Sequence, residues 1–412
     1  MSLVDGFEPN QIAVYDLAFD RFDIGDMDDY PKFEFGKREV RRVGDALKEK
    51  LIPIDKASEE EIRQIFRVAH SWRDSHALPM RLMRRELIVR IRQCELVGLT
   101  VARLKRMQSI RRKLREQTGN LTQMQDLGGC RAILPSIADV NRLIQGIKEN
   151  SRHNFINESD YILRPKLGGY RSHHLIYGFS GTGKYEPFDG RRIEMQIRTR
   201  LQHSWATAVE AVGLIRGEDM KAGKGDKDWL RLFELMSAEI AIAEKCPEPE
   251  GLPSRPNRIR EITELERALN AVSTLDDFRN AVQTSDTLYT QGSRPAYYML
   301  EYDKVLKTVS LRGFSRAVAG AKAYDSAEEG DEAVSSVVLI EADRVETLKK
   351  AYPNYFGDTY VFMQNLKAIT LGKQAVEYAV PLRRVAPHVR ESKVKADLSW
   401  FSEHRRRNWN PR

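Results

Sequence analysis

Residues 191–198 read Arg-Arg-Ile-Glu-Met-Gln-Ile-Arg. Polar and apolar side chains alternate with period two, which predicts a half-buried strand. Glu194, Gln196 and Arg198 then share one face, and Ile193, Met195 and Ile197 share the other. A carboxylate, an amide and a guanidinium in a row do not build an apolar core. They can build a place where a metal ion, a sugar hydroxyl and a phosphate meet.

Three upstream blocks carry the same kind of chemistry. Arg103-Leu-Lys105, Ser109 and Lys113 set cations along a predicted strand, Leu99 to Lys105, and a helix, Ile110 to Glu116, with Ser109 as its N-cap. On that helix Arg112 and Arg115 are three apart and Lys113 lies on an adjacent face. Asp126-Leu-Gly-Gly-Cys-Arg131 opens the next strand; read alone, Asp126 is a turn residue. Gly168-Gly169-Tyr170 is a loop whose glycines permit backbone angles other residues avoid, and Arg171-Ser-His-His174 follows. His174 and His173 face opposite ways there, His173 as a structural residue.

In this order, Arg103…Lys113, Asp126…Arg131, Gly169-Tyr-Arg-Ser-His-His174 and Glu194-Met-Gln-Ile-Arg-Thr199 resemble the RelA/SpoT-type alarmone synthetases. The resemblance implies an α+β fold: a small mixed β-sheet flanked by helices, nucleotidyltransferase-like. It implies a pyrophosphokinase that moves the β,γ-pyrophosphate of ATP to a ribose 3′-hydroxyl, leaving AMP. Arg103, Lys105, Ser109, Lys113 and Arg131 would hold ATP. Asp126 and Glu194 would hold Mg²⁺, with Glu194 also the base. Tyr170 would stack on the acceptor base, and His174, Gln196 and Arg198 would orient ribose and phosphates. Glu210 falls where many members have a histidine or a Glu-His pair. No His-Asp dipeptide occurs in the first hundred residues, so the resemblance implies a synthetase without the family's hydrolase.

Composition suits a soluble globular protein of two or three domains: 412 residues, 41% hydrophobic, 31% charged, net charge +8. Cys94, Cys130 and Cys246 have no metal-ligand spacing, and a reducing cytoplasm is the expected location. No signal peptide or membrane span is expected. Between Arg81 and Arg115 lie twelve Lys/Arg against Glu86 and Glu95, a run that favours a nucleoside triphosphate, RNA or both.

One motif points elsewhere. Gly178-Phe-Ser-Gly-Thr-Gly-Lys184 has the G-x-x-x-x-G-K form of a phosphate loop, but Tyr185 replaces the metal-binding Ser/Thr and Pro187 follows. It is expected to be a connection between antiparallel strands.

The expected organisation is an N-terminal helical region (1–98), the pyrophosphokinase core (99–245), a linker and helix (246–293), a C-terminal α+β module lacking zinc (294–385) and a basic tail (386–412). In the first region a capping box, Ser58–Glu61, heads one helix that ends before Pro79, and a second runs from about Met80 to Gly98. Later expectations are strands Phe155–Leu163 and Val334–Glu341, a Pro-rich linker at 246–256, one helix over Asn257–Gln283, a hairpin at 297–311 and a helix at 314–324. The C-terminal module has neither Cys nor His and carries Tyr352-Pro-Asn-Tyr355. With the helix Leu201-Gln-His-Ser-Trp-Ala-Thr-Ala-Val-Glu210, this resembles the CapRel group of fused toxin–antitoxin synthetases. That resemblance implies tRNA as acceptor in place of GDP or GTP, autoinhibition by Tyr352 and Tyr355, and release by a phage protein such as a capsid protein. Trp400, Phe401 and His404–Trp409 form a basic aromatic tail that could meet RNA or a partner.

Overall fold

The computed structural model describes residues 32–49, 56–105, 107–116, 118–285, 297–303, 308–314, 335–341 and 359–377. Tyr352, Tyr355, the helix expected at 314–324 and the tail lie outside these residues. Three helices come first: α1 (Lys37–Ala46), α2 (Lys56–Asp74) and α3 (Ala77–Gln93). The sheet and its helices follow as β1 (Leu99–Leu104), α4 (Met107–Glu116), β2 (Gly128–Leu134), α5 (Ile137–Asn150), β3 (Asn154–Asp160), β4 (His173–Gly178), β5 (Arg192–Thr199), α6 (Arg200–Arg216) and α7 (Lys227–Ala243). Then come α8 (Arg255–Leu269), α9 (Ala271–Ser285), the strands β6 (Tyr297–Asp303), β7 (Thr308–Phe314) and β8 (Ser335–Glu341), and α10 (Thr359–Thr370).

The main sheet has the order β1-β2-β5-β4-β3. Only β2 and β5 run parallel, so the sheet is mixed and the fold is α+β, as expected. Its two faces differ in chemistry. Cys130, Ala132, Leu134, Leu175, Tyr177, Ile193, Met195 and Ile197 pack against Leu78, Met83, Leu87 and Ile91 of α3 and Val140, Leu143 and Ile147 of α5. This is the core that period-two alternation demands of one sheet face. The other face carries Arg131, His174, Glu194, Gln196 and Arg198.

A second core joins α1, α2 and α4 through Val40, Val43, Ile65, Val68, Ala69, Trp72, Ile110 and Leu114. Ile110 and Leu114 are one turn apart and bury the back of α4, which turns Lys113 toward the sheet.

Several boundaries differ from the sequence expectation. α2 begins at Lys56, so Ser58 lies inside it. Pro79 starts no break; it sits in the first turn of α3, where its missing N–H has no intrahelical partner to lose. α3 ends at Gln93, ahead of Glu95 in the left-handed conformation at φ 53°. Ser109 is likewise inside α4 and not its N-cap. β3 ends at Asp160, whose Oδ1 accepts from the amides of Ile162 and Leu163 at 2.9 and 3.0 Å and turns the chain.

The helix expected over 257–283 is two helices, broken at Asn270 with φ 50°. The Pro-rich linker is not loose. Arg171 donates to the Pro247 carbonyl at 2.8 Å, and buried Arg258 pairs with Glu239 at 2.7 Å and Glu248 at 2.8 Å. The hairpin is present as β6–β7, shifted three residues at its far end, and β8 pairs on the other edge of β6. α10 was not expected from the sequence, although Phe362, Leu366 and Ile369 recur at helical spacing on its buried side and Tyr360, Gln364 and Lys367 lie along its less buried one. It beds against α6, α8 and α9, with the Phe362 ring 5.7 Å from that of Phe233 on α7. Among the described residues no helix is long and apolar enough to cross a membrane.

Candidate active site

The polar sheet face opens into a cavity of about 530 Å³ lined by Lys105, Lys113, Asp126, Arg131, Tyr170, His174, Glu194, Gln196 and Arg198. Nine residues singled out in sequence thus meet in one place. The register explains how. Gln196 lies beside Arg131 on β2 and beside His174 on β4, and Glu194 lies beside Gly129, so three strands deliver their polar side chains to one strip.

A continuous line of hydrogen bonds crosses that strip. Arg131 donates from Nε and Nη2 to Gln196 Oε1 at 3.1 and 3.0 Å, and Gln196 Nε2 donates to Glu194 Oε2 at 2.6 Å. Glu194 Oε1 lies 2.9 Å from His174 Nδ1, and the Tyr170 hydroxyl lies 2.8 Å from His174 Nε2. The consistent assignment has Nδ1–H donating to the carboxylate and Nε2 accepting from tyrosine. Burial opposes ionisation of Glu194, yet the bonds from His174 and Gln196, with the charge of Lys113, hold its pKa down to about 2. The carboxylate is therefore a fixed anion. Burial raises the Tyr170 phenol, so it stays a neutral donor.

Asp126 forms the second anionic point. Its Oδ2 accepts from Lys105 and Lys113 at 2.9 and 2.8 Å. Its Oδ1 is buried and meets no hydrogen-bond donor among the described residues. Lys113 touches Asp126 and also contributes to holding Glu194 ionised, so both carboxylates face the same space. An unfilled carboxylate oxygen beside a second fixed carboxylate fits a hard divalent cation. No three His, Cys, Asp or Glu side chains gather as a metal cluster among the described residues, so such an ion would complete its shell from phosphate and water.

The loop before β4 is aimed by its glycines. Gly169 has φ 94°, and a Cβ there would lie 2.6 Å from that of Ser237 on α7. Ser237 donates to the Gly169 carbonyl at 2.6 Å and accepts from buried Arg171 at 3.2 Å. This clamp presents Tyr170 between Tyr161, His174 and Trp205, at centroid distances of 6.1, 5.7 and 6.5 Å. Lys166 lies over the Tyr161 ring at 4.2 Å and the Tyr170 ring at 5.6 Å.

Other expected residues fall differently. Arg103 is on β1 opposite Gly129, its side chain outside the description. Ser109, in the first turn of α4, does not line the cavity. Arg198 is buried and contacts His203 Nδ1 from Nη2, so it also braces α6. His173 sits near Glu158 and Asp160 at 3.7 and 3.5 Å, in the structural role expected. The loop at 178–184 connects antiparallel β4 and β5 as expected, although a short 3₁₀ turn forms at Gly183–Phe188; Asp189 already takes the Gly181 amide at 2.8 Å. Sequence reasoning passed over Tyr161, Lys166, Lys221 and Phe233, which also line the cavity. The basic-aromatic interleaving of Tyr161, Lys166 and Tyr170 was the available signal.

The basic run at 81–115 is largely consumed locally. Arg84 anchors Thr100 at 3.1 Å, Arg90 donates to the Asn150 carbonyl at 2.6 Å, and Arg115 donates to the Lys48 carbonyl at 3.0 Å. Arg112 pairs with Asp219 at 2.9 Å.

A sheet-borne cleft with two anionic points, two lysines and an aromatic wall suits a polyphosphate ligand. Comparison with known proteins agrees: residues 102–213 match the region found in RelA / SpoT proteins. The chain is similar to the GTP pyrophosphokinase YwaC of Bacillus subtilis, 31% identical over 116 residues, covering 26% of this chain and 54% of that protein. It thus spans about half the length of that relative. It is also similar to the GTP pyrophosphokinase YjbM of the same organism, 27% identical over 161 residues, covering 38% of this chain and 72% of that protein. Among solved structures it resembles a GTP pyrophosphokinase family protein from Streptococcus pneumoniae, with 19% identity, TM-score 0.37, and coverage of 43% of this chain and 89% of that one. The small alarmone synthetase 1 of Bacillus subtilis bound to pppGpp gives 21% identity, TM-score 0.34, and coverage of 41% and 90%.

Proposed function

We propose that this protein is an ATP-dependent 3′-pyrophosphokinase. The observation that carries the reading is the hydrogen-bonded line Arg131–Gln196–Glu194–His174–Tyr170, set beside Asp126, Lys105 and Lys113 in one cavity. Lys105, Lys113 and Arg131 hold the ATP phosphates, with Arg103 as a further donor-side residue; Ser109, off the cavity wall, drops out of the donor set. Asp126 and Glu194 hold Mg²⁺, which when bound would neutralise phosphate charge and polarise the reacting oxygens. The acceptor's 3′-oxygen attacks the β-phosphorus. The bond from that phosphorus to the α,β-bridging oxygen breaks, AMP leaves, and the hydroxyl proton passes to Glu194 and from there to solvent. At a pKa of about 2, Glu194 keeps that proton only briefly, which fits an anchoring carboxylate better than a strong base. Tyr170 stacks on the acceptor base; His174, Gln196 and Arg198 fix its orientation.

For the acceptor the reading is the CCA end of tRNA, whose modification blocks translation. What supports it is the rim around Tyr170, where Leu163, Arg164, Lys166 and Leu167 are exposed beside two aromatic rings, a surface suited to single-stranded nucleotides. The alternative is GDP or GTP, supported by the names of YwaC and YjbM. Restraint by Tyr352 and Tyr355, relieved by a phage protein such as a capsid protein, completes the proposal. It is supported by α10, which begins four residues after Tyr355 and beds against Phe233 of the cavity wall.

Incubation with Mg²⁺, γ-³²P-ATP and either deacylated tRNA or GDP tests the reading, in the wild type and in Tyr352→Ala. Label in tRNA with AMP release is expected. Label in GDP alone ends the tRNA version, and no AMP from either acceptor ends the pyrophosphokinase. Truncation after residue 290 would be a poor substitute, because it removes Phe362, Leu366 and Ile369 from the core.

A further inference from the structure

The segment 217–226, between α6 and α7, crosses from α6 to α4 beside the cavity. Its feet are tied together: Arg216 donates to Glu218 at 3.0 Å and to Asp226 at 3.1 Å, and the Asp226 amide donates to Glu218 at 3.0 Å. Its crown is tied to α4 by Asp219–Arg112 and Lys224–Glu116, both 2.9 Å. Met220 is buried beneath. These ion pairs do not line the cavity. The pair Lys221–Glu210 does: both side chains are cavity wall, together with Met220 and Gly223, in the space that also holds Lys105, Lys113 and Asp126.

That placement is hard to explain as fastening, since the strap already has two ties to α4 and three in its feet. Glu210 is only 10% exposed on its side chain and adds a third carboxylate to a cavity wall that already holds Asp126 and Glu194 beside Lys105, Lys113 and Arg131. An anion there would repel a phosphate chain unless a cation stood between them. Lys221 is that cation. Its ammonium has three donors and its side chain is 45% exposed, so it can keep Glu210 and turn a donor to a ligand oxygen.

We infer that Lys221 is a phosphate-binding residue of the cleft, delivered by the 217–226 strap and held in place by Glu210. The inference rests on the cleft being a nucleoside-polyphosphate site. The ligand is the polyphosphate of the donor or, under the GDP/GTP alternative, that of the acceptor nucleotide, and the measurement separates the two.

Isothermal titration of Mg·ATP and, separately, of GDP is carried out on the full chain and on Tyr352→Ala, each with and without Lys221→Met. Loss of a charged hydrogen bond should weaken one of these ligands about tenfold or more. Weakening of ATP assigns Lys221 to the donor, and weakening of GDP assigns it to the acceptor. Lys221→Arg should restore most of the affinity. Lys224→Met, on the same strap but paired outside the cavity, should bind as the wild type does, with an unchanged melting temperature in all three variants. Equal binding by wild type and Lys221→Met overturns the inference alone. So does an equal loss in Lys224→Met, which would indicate only the strap's general charge. If neither ligand binds the unmutated chain or Tyr352→Ala, the cleft reading falls and this one with it.

Discussion

Two deep-set glutamates lie near opposite ends of β5 and titrate in opposite directions. Glu194, on the strand, is held down to about 2. Glu244, against the strand's last residue, is pushed up to about 7. Burial penalises both, so burial does not separate them. Partners do. Glu194 receives His174 and Gln196 and feels Lys113, whereas Glu244 receives the neutral donors Thr199 and Gln202, with Arg171 as a more distant cation, and faces like charge from Glu377. The first environment keeps a permanent anion in a cavity that can take a cation. The second closes the junction where β5 turns into α6, with Thr199 and Gln202 bonding reciprocally at 3.1 and 3.2 Å.

The largest test of this contrast is Glu194→Gln. It keeps the shape and removes the anion, and AMP release should fall about a thousandfold if the carboxylate anchors a metal. A loss of under tenfold would make the low pKa a purely structural property. Lys113→Met is next, because Lys113 serves both Asp126 and Glu194. Activity should drop about a hundredfold, and the acidic limb of the pH–rate profile should move to higher pH as Glu194 loses a stabilising charge. An unmoved limb would mean Lys113 acts on Asp126 alone. Tyr170→Phe keeps the ring and loses only the bond to His174. A change of about fivefold is expected, against a far larger rise in acceptor KM for Tyr170→Ala.

The smallest effect on activity, and the clearest on stability, belongs to Glu244→Gln. A carboxyl whose folded pKa lies above its unfolded value binds the extra proton when folded. Its contribution therefore turns unfavourable as pH rises from 4.5 toward 7, reaching on the order of 3 kcal/mol. The Gln variant should melt a few degrees higher than wild type above pH 7 and no differently below pH 4.5. Glu194 has the reverse sign: its contribution is full above pH 4.5 and is lost as pH falls toward 2. Melting curves that keep their pH dependence in Glu244→Gln would reassign the effect to another carboxyl that burial raises, such as Glu86.

Much of the site was legible before the fold. The alternation in 191–198 announced a strand with one polar face, and the face proved to be the cleft. The basic run at 81–115 was legible only as charge: its arginines turned out to cap carbonyls and anchor β1, which no count of cations can show. Helix ends were read poorly: Pro79 is tolerated inside a first turn, Ser109 lies within α4, and one left-handed residue, Asn270, divides a continuous periodic stretch into two helices.

By itself the sequence determined which residues could do chemistry, because period-two alternation and glycine placement are local properties of the chain. Only the tertiary structure decided which of them act together. Gln196 reaches Arg131 and His174 through strand register, Lys113 faces Asp126 because Ile110 and Leu114 bury the other side of α4, and Lys221 enters the cavity through a strap fixed to a helix a hundred residues earlier. Contacts between distant segments depend on packing and pairing, and those leave no periodic mark on the residues that make them.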